Sequence, residues 1–158
     1  MELIKVEACN YVFRLGKREK RLLVGILLLY PLVPLSHHQI SRSGAEEDSA
    51  GKQDLLREAL EAHRREARQQ LDMLLASHHR LVPDNTGFRL LLDRQQVEWF
   101  LQILNDVRLG SWILLGCPDP HEGDPKKPLD AERVNQIVVM ELAAQFQQDL
   151  IDALDTGA

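Results

Sequence analysis

Aromatic residues are scarce in this chain, at 5% of 158 residues. Leu, Ile and Val must therefore fill most of any interior. Cysteine is scarcer still. Cys9 and Cys117 lie far apart and form no Cys-x-x-Cys spacing, which removes the usual thiol-based zinc and redox motifs. A reduced, cytoplasmic chain is the expectation, with one disulfide still compatible with the sequence. An excess of positive charge is also missing. A formal net charge of −5 argues against nucleic acid, because phosphate binding shows as a basic face. The basic run Lys17 to Arg21 is local and has no stacking aromatics interleaved with it.

No uninterrupted apolar run is long enough for a bilayer, which takes about 20 residues in a helix. Leu22 to Leu35 comes nearest and follows a basic cluster, as a signal peptide would. Pro31 and Pro34 break it, and Ser36-His37-His38-Gln39 offers no small-x-small cleavage site. A buried helix accounts for it better than membrane insertion or secretion. Gly-rich phosphate loops, nucleophile elbows and kinase motifs are absent as well.

A pattern does occur twice, 77 positions apart. Tyr11-Val-Phe-Arg-Leu15 runs into a polar turn and an apolar helix-like stretch, and Phe88-Arg-Leu-Leu-Leu92 does the same. Placing Leu15 on Leu92 also places Leu23 on Phe100, Ile26 on Ile103 and Leu27 on Leu104. The pattern reads as two strand–helix units related by a pseudo-two-fold axis, with Tyr11–Leu15 and Phe88–Leu92 paired antiparallel. A chance match of two amphipathic segments would look the same.

Further elements follow from periodicity and turn chemistry. Leu3–Glu7 is β-compatible, and Ala8-Cys9-Asn10 can turn the chain. The first helix is expected from Lys17 to Tyr30, ending before Pro31, and apolar nearly all round after Arg21. Polar residues from 36 to 52 make a flexible loop. The second helix is expected over Gln53–His79, with Leu56, Leu60, His63, Ala67, Leu71 and Leu74 on one face. Pro83-Asp-Asn-Thr-Gly87 is a turn. Asp93 caps the third helix, Gln96 completes a capping box, and the helix runs to Leu115. A Pro-rich loop spans 116–129. Asp130 caps a fourth helix that ends near Leu154. The expected fold is mainly α: a single domain over 1–158, with a four-helix bundle-like core and a small two- or three-stranded antiparallel β element.

Within the third helix, Asn105, Asp106 and Arg108 interrupt an otherwise apolar sequence, close to Ser111 and Trp112. A buried charge needs a partner, since desolvating it costs several kcal/mol. Two readings follow. The cluster is a structural network in which Arg108 holds a loop and Asp106 answers a cation from another helix, or Asn105, Asp106, Arg108 and Trp112 bind a small anion or peptide.

The segment Phe88 to Leu109, with its Leu104-Asn-Asp-Val-Arg-Leu109 core, resembles an uncharacterised bacterial family best represented in actinobacteria. The N-terminal unit fits that family more loosely, and the last helix fits by pattern alone. The family has no established activity. Its genes often lie near the Clp-protease adaptor and a sulfur-carrier cluster, so the resemblance implies a regulatory role linked to proteolysis.

Paired histidines (His37-His38, His78-His79) invite a metal, yet neither an HExxH motif nor a Glu-x-x-His pair on two helices accompanies them. Cys117 and His121 share a Pro-rich loop in which nothing supplies an oxyanion hole. No catalytic residues, metal site or cofactor are therefore expected. The function expected is a non-enzymatic interaction or regulatory module, with a protein partner or a homodimer formed through the first or fourth helix. The alternative is a small anionic-ligand-binding protein.

Overall fold

The computed structural model describes residues 1–7, 10–37, 49–77, 79–118 and 130–156. Its elements follow in the order β1 (Glu2–Glu7), β2 (Asn10–Leu15), α1 (Lys17–Leu27), α2 (Ser49–Ala76), β3 (Leu81–Asp84), β4 (Gly87–Asp93), α3 (Arg94–Leu114) and α4 (Ala131–Thr156). A 3-10 turn at Leu35–His37 lies between α1 and α2.

All four strands join one antiparallel sheet in the order β1-β2-β4-β3. The sheet is thus larger than the two or three strands expected. The strand missed is β3, four residues that include Pro83. Proline cannot donate to a ladder, and β3 sits at the sheet edge, where that omission is tolerated. The expected turn lies between Asp84 and Gly87, which face each other as a pair. A Cβ on Gly87 would stand 2.2 Å from the Leu15 carbonyl oxygen, so only glycine lets β4 approach the end of β2 this closely.

The central pairing is the one the repeated pattern implied. Tyr11 faces Leu92, Phe13 faces Leu90 and Leu15 faces Phe88. Positions 77 apart therefore exchange places across an axis between Phe13 and Leu90. The correspondence reaches further than the strand–helix units read from sequence. Glu7 pairs with Asn10 as Asp84 pairs with Gly87, so each unit opens with a hairpin. The helix starts correspond as well, although Gly16 has no side chain to complete a box. Gly16 N donates to Glu19 Oε2 at 2.7 Å, and Asp93 N donates to Gln96 Oε1 at 3.0 Å. Gln96 N also donates back to Asp93 Oδ1 at 2.8 Å. With α2 and α4 following, the chain reads as two successive ββαα units sharing one sheet.

The core is not clearly a four-helix bundle, because the sheet supplies one wall of it. Tyr11, Phe13 and Leu15 of β2, with Leu90 and Leu92 of β4, meet Leu23, Ile26 and Leu27 of α1. Val97, Phe100, Ile103, Leu104 and Val107 of α3 and Phe146 and Leu150 of α4 close it. Burying such side chains stabilises by about 1.5–3 kcal/mol each. α4 lies close along α3, whereas α2 comes near α3 at few points and reaches the core through Ala67, Leu71 and Leu74.

Several helix boundaries differ from the expected ones. α1 ends at Leu27, short of Tyr30, and α2 begins at Ser49, ahead of Gln53. Leu22, Leu28 and Leu29 are exposed, so the apolar circumference of α1 is buried on one side only. Val134 and Val138 are likewise exposed in the first half of α4. The Asp130 cap holds, with Arg133 N donating to its Oδ1 at 2.8 Å. Among the described residues no helix is long and apolar enough to cross a membrane.

Candidate functional site

α3 is the spine on which the polar residues sit, and its geometry sends them to two sides. Asn105 and Arg108 are three residues apart and share a face, while Asp106 is turned about 100° away. Arg108 is exposed, and its Nη2 donates to Asn105 Oδ1 at 3.3 Å. Trp112 lies one turn further on, with its indole N–H donating to the Pro118 carbonyl at 3.1 Å. These three residues line a groove of about 450 Å³ between α3 and α4, completed by Leu109, Met140, Glu141 and Ala144.

Asp106 points toward α2 and the chain that leaves α1, while Asn105 and Leu109 lie between the two sides. Its Oδ1 accepts from Leu32 N at 2.6 Å and from Val33 N at 3.2 Å. Its Oδ2 stands 3.7 Å from Arg64 Nη2, and Arg64 in turn donates to the Val33 carbonyl at 2.8 Å. Here Asp106 meets a cation from another helix, as one of the two sequence readings has it, whereas Arg108, expected in that reading to hold a loop, bonds Asn105 of its own helix instead. One turn along α2, Arg68 Nη1 donates to the carbonyls of Leu28 and Tyr30, both at 2.9 Å. Carbonyls at a helix end have no partner within the helix, and Arg68 supplies one. Tyr30 is buried beside this network. Burial first, and the Asp106 carboxylate second, push its phenol above the ordinary tyrosine value.

Two more cavities follow the α2–α3 seam. One, of about 440 Å³, has Gln70, Met73, Leu74, Arg80, Gln95 and Trp99 among its walls. The other, of about 230 Å³, has Tyr30, Leu60, His63, Trp99, Gln102 and Asp106 among its walls. Trp99 belongs to both, and its indole nitrogen is buried without a hydrogen-bond partner. The α2 wall of this seam, Leu60, His63, Ala67 and Leu74, belongs to the stripe expected from the sequence. The α3 wall was not singled out: Gln95, Trp99, Gln102, Asp106 and Leu109 recur at alternating three- and four-residue spacing, but their mixed polarity hid them. Met140 and Glu141 of the other groove were missed because they fall beside the purely apolar series Val134, Val138, Leu142, Phe146 and Leu150, which dominates the sequence of α4.

Other sequence candidates are dispersed. His37, His63 and His79 are exposed on separate elements, whereas His38, His78 and His121 lie outside the described residues. Among the described residues no three His, Cys, Asp or Glu side chains gather as a metal would require. Cys117 is an exposed free thiol at φ 54°, following Gly116 at φ 85°, and Cys9 lies outside the described residues.

No curated protein and no protein of solved structure matches the chain. A family model does match, over residues 38–154, from the polar segment after the first helix to the end of α4. β1, β2 and α1 precede the matched stretch, although β2 and β4 pair at the centre of the sheet. The unit built on β3, β4 and α3, with its Asn105–Arg108 segment, falls wholly within it, and the chain thus belongs to the family described as Domain of unknown function (DUF2017).

Proposed function

We propose that the protein is a non-catalytic interaction module that works through the α3–α4 groove and pairs there with a second copy of itself. The observation that carries this reading is the make-up of the groove. Leu109 and Trp112 are 42% and 36% exposed, next to Met140 and between Arg108 and Glu141. Trp, Met and Arg are enriched at protein interfaces, and Trp and Arg are enriched among binding hot spots. Val134 and Val138, 44% and 47% exposed, continue the Glu141 side of the groove toward the start of α4.

Charge placement supports a second copy as the occupant. The groove carries Arg108 on its α3 side and Glu141 on its α4 side. In a two-fold contact each patch meets itself, so each Arg108 can stand opposite Glu141 of the other copy. Of the two helices expected to mediate association, α4 is the one that lines this groove. The resemblance to a family encoded near the Clp-protease adaptor extends the reading to a regulatory role in proteolysis. The anionic-ligand reading has less support, because Glu141 shares the groove with Arg108 and Asp106 faces Arg64.

Light scattering across a concentration series tests the reading. The wild-type mass should rise toward twice the monomer value in the micromolar range, and Trp112→Ala should hold it at the monomer value. A wild-type chain that stays monomeric at hundreds of micromolar contradicts it.

A further inference from the structure

We infer that α2 is a detachable lid: it lifts off α3 as one unit while the sheet, α1, α3 and α4 stay folded. The packing of α2 carries this. The helix has 28 residues, yet among its described side chains only Ala67, Leu71 and Leu74 are buried, all in the C-terminal half. No residue from 51 to 66 is buried. α4 lies along α3 over a long stretch, whereas α2 meets every other element at few points. Cavities of about 440 and 230 Å³ remain in the seam between α2 and α3. Dispersion attraction falls steeply across a gap, so a helix seated over voids is held weakly. Sparse burial is also the mark of segments that open below the free energy of global unfolding.

Two arginines form the latch. Arg64 donates to the Val33 carbonyl and faces Asp106, and Arg68 donates to the carbonyls of Leu28 and Tyr30. Water replaces each of these partners when α2 lifts, so the net hold of every bond is modest. The Arg64–Asp106 pair adds little, because taking two charges out of water offsets much of their attraction. Asp106 keeps its bonds from Leu32 N and Val33 N after Arg64 leaves, and the chain after α1 stays clipped to α3. One group favours the open form outright. The Trp99 indole N–H lies at both cavities, buried and without an acceptor, and lifting α2 lets water satisfy it. The open form also bares Tyr30 and Ile103, which share a cavity wall with Leu60 and Ala67 of α2.

Native-state hydrogen exchange of the full chain, followed amide by amide by NMR at low urea, tests this. Once lifted, α2 is a lone helix, marginal in water, and its amides exchange freely. Amides from Ala67 to Leu74 should share one protection factor, at least a hundredfold below that of the best protected amides of β2, β4 and α3. Their rates should rise less steeply with urea, because release exposes only part of the surface that unfolding exposes. Two variants separate release from unfolding. Arg68→Ala should speed exchange about tenfold in α2 and equally in the core, since its bonds are lost in both the open and the unfolded forms. Phe146→Leu, at a buried position of α4, should speed the core amides about tenfold and leave α2 unchanged, since Phe146 keeps its surroundings when α2 lifts. The inference is overturned if the α2 amides match the core in protection and urea dependence, or if Phe146→Leu speeds both alike. Protection that falls off gradually along Ala67–Leu74 would mean fraying in place of release and overturns it too, as does an Arg68→Ala variant that exchanges like the wild type.

Discussion

The Asp106 carboxylate accepts a hydrogen bond from the backbone of Leu32 at 2.6 Å, joining α3 to the chain that leaves α1. Gly110, one turn further along α3, lies against the same residue, and a Cβ there would come within 2.7 Å of the Leu32 side chain. Two positions of one helix face thus hold a segment that carries two prolines and has no helix of its own. The segment in turn gives Arg64 of α2 a carbonyl to bind.

Asp106→Ala should destabilise the fold by about 3 kcal/mol, since it leaves two backbone donors without their acceptor and removes the carboxylate facing the largely buried Arg64. Asp106→Asn retains an acceptor for Leu32 and should cost about half as much. Urea unfolding of both variants measures the difference. Equal stability of wild type and Asp106→Ala would show that the network carries no net free energy.

Gly110→Ala should lower stability by about 1–3 kcal/mol, although alanine favours helix intrinsically. The added methyl group must displace Leu32. Gly25→Ala is the matched control, because a Cβ there meets nothing within 4 Å. That substitution should be neutral or stabilising by up to about 1 kcal/mol. Thermal melts should therefore show a lower midpoint for Gly110→Ala and no loss for Gly25→Ala.

Removing residues 1–37 should abolish cooperative folding, even though what remains contains the whole family match. Phe13, Leu15 and Leu27 would leave the core, and β4 would lose its central neighbour. Circular dichroism of the 38–158 fragment should show residual helix and no sharp thermal transition.

Stability should fall in acid partly through Glu19. Hydrogen bonds from the Met1 amino group first, and from Gly16 N second, hold its carboxyl below the ordinary carboxylate value. A depressed carboxyl contributes fully above its unfolded pKa, about 4.3, and loses that contribution as pH falls through the folded value. Glu19→Gln should therefore flatten the acid limb of the stability–pH curve below about pH 4.5. An unchanged acid limb would remove Glu19 from the account.

Much of the architecture was legible because it rests on local chemistry. The Asp93–Gln96 box, the Asp130 cap and the turn before Gly87 each depend on residues within a few positions of one another. The pairing of Tyr11–Leu15 with Phe88–Leu92 was legible for a different reason: a repeated pattern implies an axis, and an axis implies a register. β3 escaped because four residues with a proline carry no periodicity. The end of α1 was misplaced because Leu28 and Leu29 are as helix-compatible as their neighbours; past Leu27 the backbone bonds tighten to three-residue spacing, Leu29 N to Ile26 and Tyr30 N to Leu27, and Arg68 takes the Leu28 and Tyr30 carbonyls. On α3, spacing placed Asn105 and Arg108 on one face, but the meeting of Asp106 with Arg64 is a tertiary contact across 42 positions that no local pattern announces.

The most direct test of the proposed pairing is a charge-swap cycle at the α3–α4 groove, read as the dimer dissociation constant by analytical ultracentrifugation. Arg108→Glu and Glu141→Arg should each weaken self-association at least tenfold, and the double variant should return to within a few-fold of the wild type. A double variant as weak as the two single changes combined, or single variants that dimerise like the wild type, would contradict the two-fold pairing.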